Sequence, residues 1–293
     1  MNDTLQCFLF EHAPIRGERV QLNATWQAVT TLRTYPAPLR QILGELMAAG
    51  SLLAATLKFD GTLILQLHGS GPVQLIVVEC TSEHTLRATA KWSGSISNVG
   101  LRQLLGNGRF VINLVPRSGQ QSYQGVVELN ADSVAEIIEH YMKTSEQIDT
   151  KIWLSANAQQ AAGLLLQKLP EAESPDVDAW NRVGLLASTV TSFELLNLPT
   201  QQLLGRLFHE EDVRLFEANP VCFRCSCTVA RVADMLRMLG QDDVQQLIVE
   251  RGEVEILCDF CNHRYAFDAV DAAQIFAQPA QTPPIPSPDL TRH

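Results

Sequence analysis

"EVEILCDFCNHRYAFD", Glu253 to Asp268, holds two strand-like runs, EVEIL and RYAFD, joined by a knuckle that carries Cys258 and Cys261. A C-x-x-C between two strands is a common setting for a metal knuckle, because the turn aims both thiols the same way. Upstream, "FRCSCT" (Phe223–Thr228) puts Cys225 and Cys227 one residue apart, with Cys222 just before them. Five of the seven cysteines therefore crowd into the last quarter of a 293-residue chain. What they do depends first on where the chain resides.

The opening residues, "MNDTLQCFLFEHAPIRGERV", lack the basic start, long apolar run and small-residue cleavage site of a secretory signal. The longest uncharged stretches, such as Gly61–Val78, are interrupted by Gln, His, Gly and Pro and read as strands and turns rather than a membrane span. A cytoplasmic location is expected, where thiols stay reduced. An odd number of cysteines also fits a disulfide scaffold poorly. Formal net charge is -10, the isoelectric point is near 5.2, and no Lys/Arg run occurs. That balance argues against nucleic acid or an anionic membrane as partner, since both require a basic face.

Working outward from the cysteines, the final segment reads as a small domain. Helices Val229–Leu239 and Gln241–Gly252, the two strands around the knuckle, and a helix Val270–Gln278 compose it. The tail from Pro279 is Pro-rich and expected to be disordered. Before it, "HEEDVRLFEANP" (His209–Pro220) reads as a polar hinge. Val177–Phe208 is very apolar for a linker. Trp180, Val183, Leu186, Val190 and Phe193 fall at helical steps, Pro199 breaks the helix, and Leu203, Leu204, Leu207 and Phe208 follow. These helices either pack on the core or also leave it to bind something.

The first part mixes strands with helices. Thr62–Leu67 alternates, Val73–Val78 is apolar on both faces, and Leu86–Lys91, Arg109–Leu114 and Ser122–Leu129 add further strands. Pro36–Leu57 and Asn130–Ile148 read as helices, the second capped by Asp132 or Ser133. Short-loop strand pairs between helices imply an α+β fold with a largely antiparallel sheet. The expected organisation is a core domain over residues 1–174, an apolar helical linker and hinge over 175–219, a small cysteine-bearing domain over 220–280, and a tail over 281–293.

Enzyme motifs are missing. Gly106–Arg109, "GNGR", precedes a strand instead of following one, no Gly-Lys dipeptide exists for a phosphate loop, and "HEEDV" only begins like a zinc-protease helix. The histidines are scattered, and Cys7 and Cys80 lie in strand-like runs and read as buried core thiols. No catalytic residue is assigned. Four thiolates, in contrast, can hold one Zn2+ tetrahedrally with no open position. The ligand set stays open on spacing alone: Cys222 and Cys225 also form a C-x-x-C, and His263 could replace one thiol.

These residues resemble a family. "FRCSC" followed by "ILCDFCNHRYAFDAVDAAQI", with "QLHGSGPVQLIVVEC" and "YQGVVEL" in the first half, is similar across essentially the whole chain to the bacterial redox-regulated 33 kDa heat-shock chaperones. The resemblance implies one Zn2+ on Cys225, Cys227, Cys258 and Cys261 in a reduced, inactive chain. It implies disulfides Cys225–Cys227 and Cys258–Cys261 on oxidation, zinc release, unfolding of the last domain, and ATP-independent holding of unfolding client proteins, with homodimerisation. Cys222 lies outside the family signature and could act as an exchanging thiol. Two other functions remain to be weighed: a zinc-ribbon regulator that binds nucleic acid, which needs a basic face, and a thiol-disulfide oxidoreductase, which places C-x-x-C at a helix N-terminus.

Overall fold

The computed structural model describes residues 3–170, 176 and 178–277. Two compact units divide the chain, Met1–Arg224 and Cys225–His293. The first runs β1 (Thr4–Phe10), β2 (Ile15–Leu22), α1 (Ala24–Leu32), α2 (Ala37–Thr56), β3 (Gly61–His68), β4 (Val73–Thr81), β5 (Thr85–Trp92), α3 (Leu101–Leu105) and β6 (Arg109–Pro116). It continues with β7 (Tyr123–Glu128), α4 (Val134–Thr144), β8 (Thr150–Ala156), β9 (Ala161–Lys168), α5 (Ala179–Ala187), α6 (Ser192–Asn197), α7 (Thr200–Leu207), β10 (Val213–Pro220) and β11 (Cys222–Phe223). Two sheets result, ordered β10-β1-β2-β9-β8 and β11-β5-β4-β3-β6-β7. Their pairings are antiparallel apart from β11 on β5, which is the α+β architecture the sequence implies.

The layering explains the patterns. Leu63, Leu65 and Leu67 of β3 turn inward, as their alternation requires. Helix α2 shows a stripe in its first turns, yet from Leu46 to Ala54 every residue is buried. It packs against β2, β8 and β9 on one side and β3, β4 and β5 on the other. A helix enclosed between two sheets has no face left for polar residues. Small residues let the backbones approach: a Cβ at Gly163 of β9 would meet Leu52 Cδ1 at 2.7 Å. On α4, Ser133 is the cap, its hydroxyl accepting from the Glu136 N–H, and Val134, Ile137, Ile138 and Tyr141 are buried. The helix is shorter at both ends than the periodic pattern suggested. Of the two cysteines expected in the core, Cys80 is fully buried, whereas Cys7 sits beside a register shift in β1 and is only partly covered.

The opposite face of the first sheet carries α5, α6 and α7. Val183, Ala187, Leu195, Leu203, Leu207 and Phe208 pack there on Phe8, Phe10 and Ile15. The expected continuous helix through Phe193 ends at Ala187, and Thr191 and Glu194 form a capping box that starts α6 afresh. Phe193 consequently points outward and is 71% exposed. Arg19 of β2 is fully buried and donates to the carbonyls of Val20 and Leu195, while Gln21 donates to those of Leu196 and Leu198. These side chains satisfy the orphan carbonyls at the end of α6. The stretch read as a polar hinge, His209–Pro220, instead supplies β10, an edge strand paired with β1 from Phe10 opposite Val213 to Thr4 opposite Pro220. Its polar residues reflect an edge with little to bury. Residues 171–175 and 177, and the tail 281–293, lie outside the described residues.

The second unit comprises α8 (Val229–Leu239), α9 (Gln241–Arg251), β12 (Val254–Leu257), β13 (Arg264–Phe267) and α10 (Ala269–Ala277), with β12 and β13 antiparallel. Its core is small: Val232, Ala233, Leu236, Val244, Val254, Tyr265, Phe267, Ala272 and Ile275. No described helix is long and apolar enough to cross a membrane.

Candidate metal centre

The knuckle between β12 and β13 is closed by its own backbone. The Cys258 N–H donates to the His263 carbonyl at 3.0 Å, and the Asn262 N–H to the Cys258 carbonyl at 2.9 Å. Asn262 takes φ +54, a left-handed conformation that Asn tolerates better than most residues. The reversal carries Cys258 and Cys261 to the same side. The other pair lies directly before α8. Thr228 caps that helix by accepting from the Arg231 N–H at 3.2 Å, and Arg231 Nη1 reaches back to Ser226, between the two cysteines, at 2.7 Å to Oγ and 3.1 Å to O. A short extended segment is thereby pinned, with Cys227 immediately outside a helix N-terminus.

The two segments meet. The Sγ atoms of Cys225, Cys227, Cys258 and Cys261 all lie within 4.8 Å of one another. Between the segments, Cys225 lies 3.7 Å from Cys258 and Cys227 3.4 Å from Cys261. Zinc–sulfur bonds of about 2.3 Å at tetrahedral angles would set sulfurs about 3.8 Å apart. The donor set therefore fits a four-thiolate site. Cys222 is not among the four; it is exposed in β11, its N–H donating to the His84 carbonyl at 3.3 Å. His263 is outside the group too, its ring edge-on to Tyr265 at 4.6 Å between centroids.

The electrostatics favour one thiolate in particular. Burial pushes the Cys227 thiol up, but hydrogen bonds from Tyr265, Cys261, Cys225 and Cys258 outweigh it and bring its pKa down to about 7. Burial pushes the Cys261 thiol up; the His263 N–H opposes this, and Cys261 keeps its proton to donate to its neighbours. Tyr265, whose hydroxyl serves Cys227, has its own pKa raised to about 12 by that bond first and by desolvation second. Tyr265 and Arg231 were not singled out from the sequence. An aromatic two residues past a C-x-x-C-N-H knuckle, and an Arg at the third position after a Thr cap, are the local signals that point to them.

The Hsp33 protein family model matches residues 3–268. The chain belongs to the Hsp33 family. A protein of Methylobacillus flagellatus named 33 kDa chaperonin is 50% identical over 278 residues, covering 94% of this chain and 95% of its own. One of the same name from Chromobacterium violaceum is 50% identical over 277 residues, covering 94% of each. The Hsp33 fold is shared as well. The crystal structure of the Thermotoga maritima 33 kDa chaperonin superposes with a TM-score of 0.82, at 18% identity, over 94% of this chain and 98% of that one.

Proposed function

We propose that this chain is a redox-regulated, ATP-independent chaperone that holds unfolding proteins under oxidative stress in the cytoplasm. The observation that carries the proposal is the meeting of four thiols, from two segments, in a unit whose own buried core is small. A structural Zn2+ there would supply on the order of 10–16 kcal/mol of apparent folding free energy, against ~5–15 kcal/mol net for a typical domain.

In the reduced chain Cys225, Cys227, Cys258 and Cys261 hold the ion and keep the second unit folded. Peroxide or hypochlorous acid takes two electrons from each pair. With peroxide, each disulfide formed consumes one oxidant and two protons and yields two waters. The products are the Cys225–Cys227 and Cys258–Cys261 bridges. A sulfur so oxidised has lost the thiolate charge that makes it a ligand, so the unit loses its brace. The segment 175–219 then loosens and offers its apolar side chains to clients. Leu185, 68% exposed, and Phe193 already face solvent. Oxidised chains pair as homodimers, and Cys222 is a nearby thiol able to exchange with the three-residue Cys225–Cys227 ring.

The chaperone reading asks nothing enzymatic of the chain and no nucleic acid. An oxidoreductase would place its C-x-x-C at a helix N-terminus, whereas Cys258 and Cys261 lie between strands. The test is light scattering of a thermally unfolding client with reduced or oxidised protein, without nucleotide. Zinc and free thiols are counted in parallel, and insulin reduction is assayed alongside. Oxidised protein is expected to suppress scattering after losing zinc and four thiols. Equal suppression by the reduced, zinc-loaded form would refute the redox reading.

A further inference from the structure

We infer that Arg19 and Gln21 form a carbonyl-binding site on the face of the first sheet, closed by α6 in the reduced chain and open, once α6 leaves, to the apolar helix ends of unfolding clients. The inference rests on the proposal that oxidation loosens the segment 175–219.

The site is built on β2. Ile15, Arg19 and Gln21 alternate onto the face that α5, α6 and α7 cover. Phe8, Phe10, Leu164 and Leu166 lay an apolar floor there. Arg19 Nη2 donates to the carbonyl of Leu195 and, at 3.4 Å, to that of Leu198. Gln21 Nε2 donates to the carbonyls of Leu196 and Leu198, each at 3.2 Å. The end of a helix leaves such carbonyls unpaired. Pro199, one turn on from Leu195, has no N–H to offer it. Leu195 and Leu196 meanwhile sink their side chains into the floor. The sheet thus holds α6 by its carbonyl end and its apolar residues together.

Two features separate this site from an ordinary core anchor. Arg19 is fully buried with no carboxylate partner among the described residues, and its Nε has no partner either. A hydrocarbon would hold α6 here at less cost, because a buried cation without a counter-ion gives up its hydration uncompensated. The guanidinium is therefore a poor permanent brace with donor capacity to spare. The second feature is what it binds. The bonds of Arg19 and Gln21 to α6 go to backbone carbonyls, which every polypeptide carries, so they do not depend on the side chains of α6. A partly unfolded protein presents helix ends with free carbonyls beside apolar residues that have lost their core. Such an end can take the place of α6, its carbonyls on Arg19 and Gln21 and its apolar side chains on the floor.

The probe is a peptide copying residues 189–199, labelled with fluorescein at its N-terminus and amidated at its C-terminus, beside a scrambled peptide of the same composition. Fluorescence anisotropy follows each on the full chain, reduced and oxidised, as wild type, Arg19→Met and Gln21→Leu. Oxidised wild type is expected to bind the copy more tightly than the scrambled peptide, and the reduced chain to bind neither. Arg19→Met should weaken binding of the copy about tenfold and Gln21→Leu about threefold, with the scrambled peptide unaffected. A heat-unfolded α-helical client should displace the copy from oxidised wild type. Equal loss of both peptides would show general damage to the face and overturn the inference. So would a folded variant that binds the copy like wild type, a reduced chain that binds it like the oxidised one, or a client that fails to displace it. Circular dichroism checks folding, and if Arg19→Met does not fold, Gln21→Leu decides. An oxidised wild type that suppresses client aggregation yet binds no peptide would refute this inference alone, whereas one that suppresses nothing would refute the chaperone reading on which it stands.

Discussion

Replacing Cys227 by Ser should weaken zinc binding severely, while replacing Cys222 by Ser should leave it intact. Serine keeps the shape of cysteine but its hydroxyl does not ionise at neutral pH, so a thiolate ligand is lost outright. If ~10–16 kcal/mol of apparent zinc binding is shared evenly among four thiolates, each contributes about 2.5–4 kcal/mol. That corresponds to roughly 10²–10³-fold weaker binding, at about 1.4 kcal/mol per tenfold. The upper end is expected here. Cys227 is the thiol on which Tyr265 and three other cysteines converge, and the Cys261 sulfur lies 3.4 Å away. The nine buried side chains among the unit's described residues then have to sustain it without the metal, and domains this small seldom manage without a brace. The assay is competition with chelators of graded affinity, with amide hydrogen exchange recorded over residues 225–277. Cys227→Ser should exchange rapidly across α8, β12, β13 and α10 at metal concentrations that keep wild type protected, with α2 unaffected. Cys222→Ser should remain within about twofold of wild type. A Cys222→Ser chain that loses zinc while Cys227→Ser keeps it would reverse the ligand assignment.

Glu18, 3% exposed opposite Cys7, has its pKa raised to about 7 by burial, less what hydrogen bonding to Cys7 and the nearby Arg16 return. An acid with a raised native pKa binds its proton more tightly folded than unfolded, so stability should fall between pH 4.5 and 7 by about 3 kcal/mol and level off above. Glu18→Gln should remove that slope in urea titrations, and an unchanged slope would show that other groups produce it. Arg19→Ala should strip the end of α6 of its buried donor. It should destabilise the first unit by about 2–4 kcal/mol, with exchange rising first in Ser192–Asn197; uniform exchange over the unit would argue against a local anchor. Gly17→Ala should lower the melting temperature, because the new methyl would meet the Phe8 ring at 2.0 Å, and that ring is fully buried. An unchanged melting temperature would mean that the ring can shift at no cost.

Patterns confined to a few neighbouring residues were legible in the sequence. Alternation in Thr62–Leu67, a cap at Asp132 or Ser133 and the C-x-x-C knuckle each depend on backbone geometry within one turn or one strand, so the residues themselves determine them. The paired cysteines also narrow a metal site to Cys258, Cys261 and Cys225 with either Cys222 or Cys227, or with His263 in place of one thiol. The meeting of Cys225 and Cys227 with Cys258 and Cys261 belongs to the tertiary structure alone, since it depends on how two segments 30 residues apart in sequence pack around a shared core. The same holds for β10. Its polar, weakly alternating residues carry no strand signal, and its pairing comes from β1, more than 200 residues earlier. Helix α2 hid its two-sided burial because Ala, Gly and Ser read as a weak polar face until a second sheet lies against them. Arg19, Tyr265 and Glu18 belong with these cases. A charged or polar side chain looks solvent-facing in a sequence, and only the surrounding fold determines whether water reaches it, and with that its partners and its pKa.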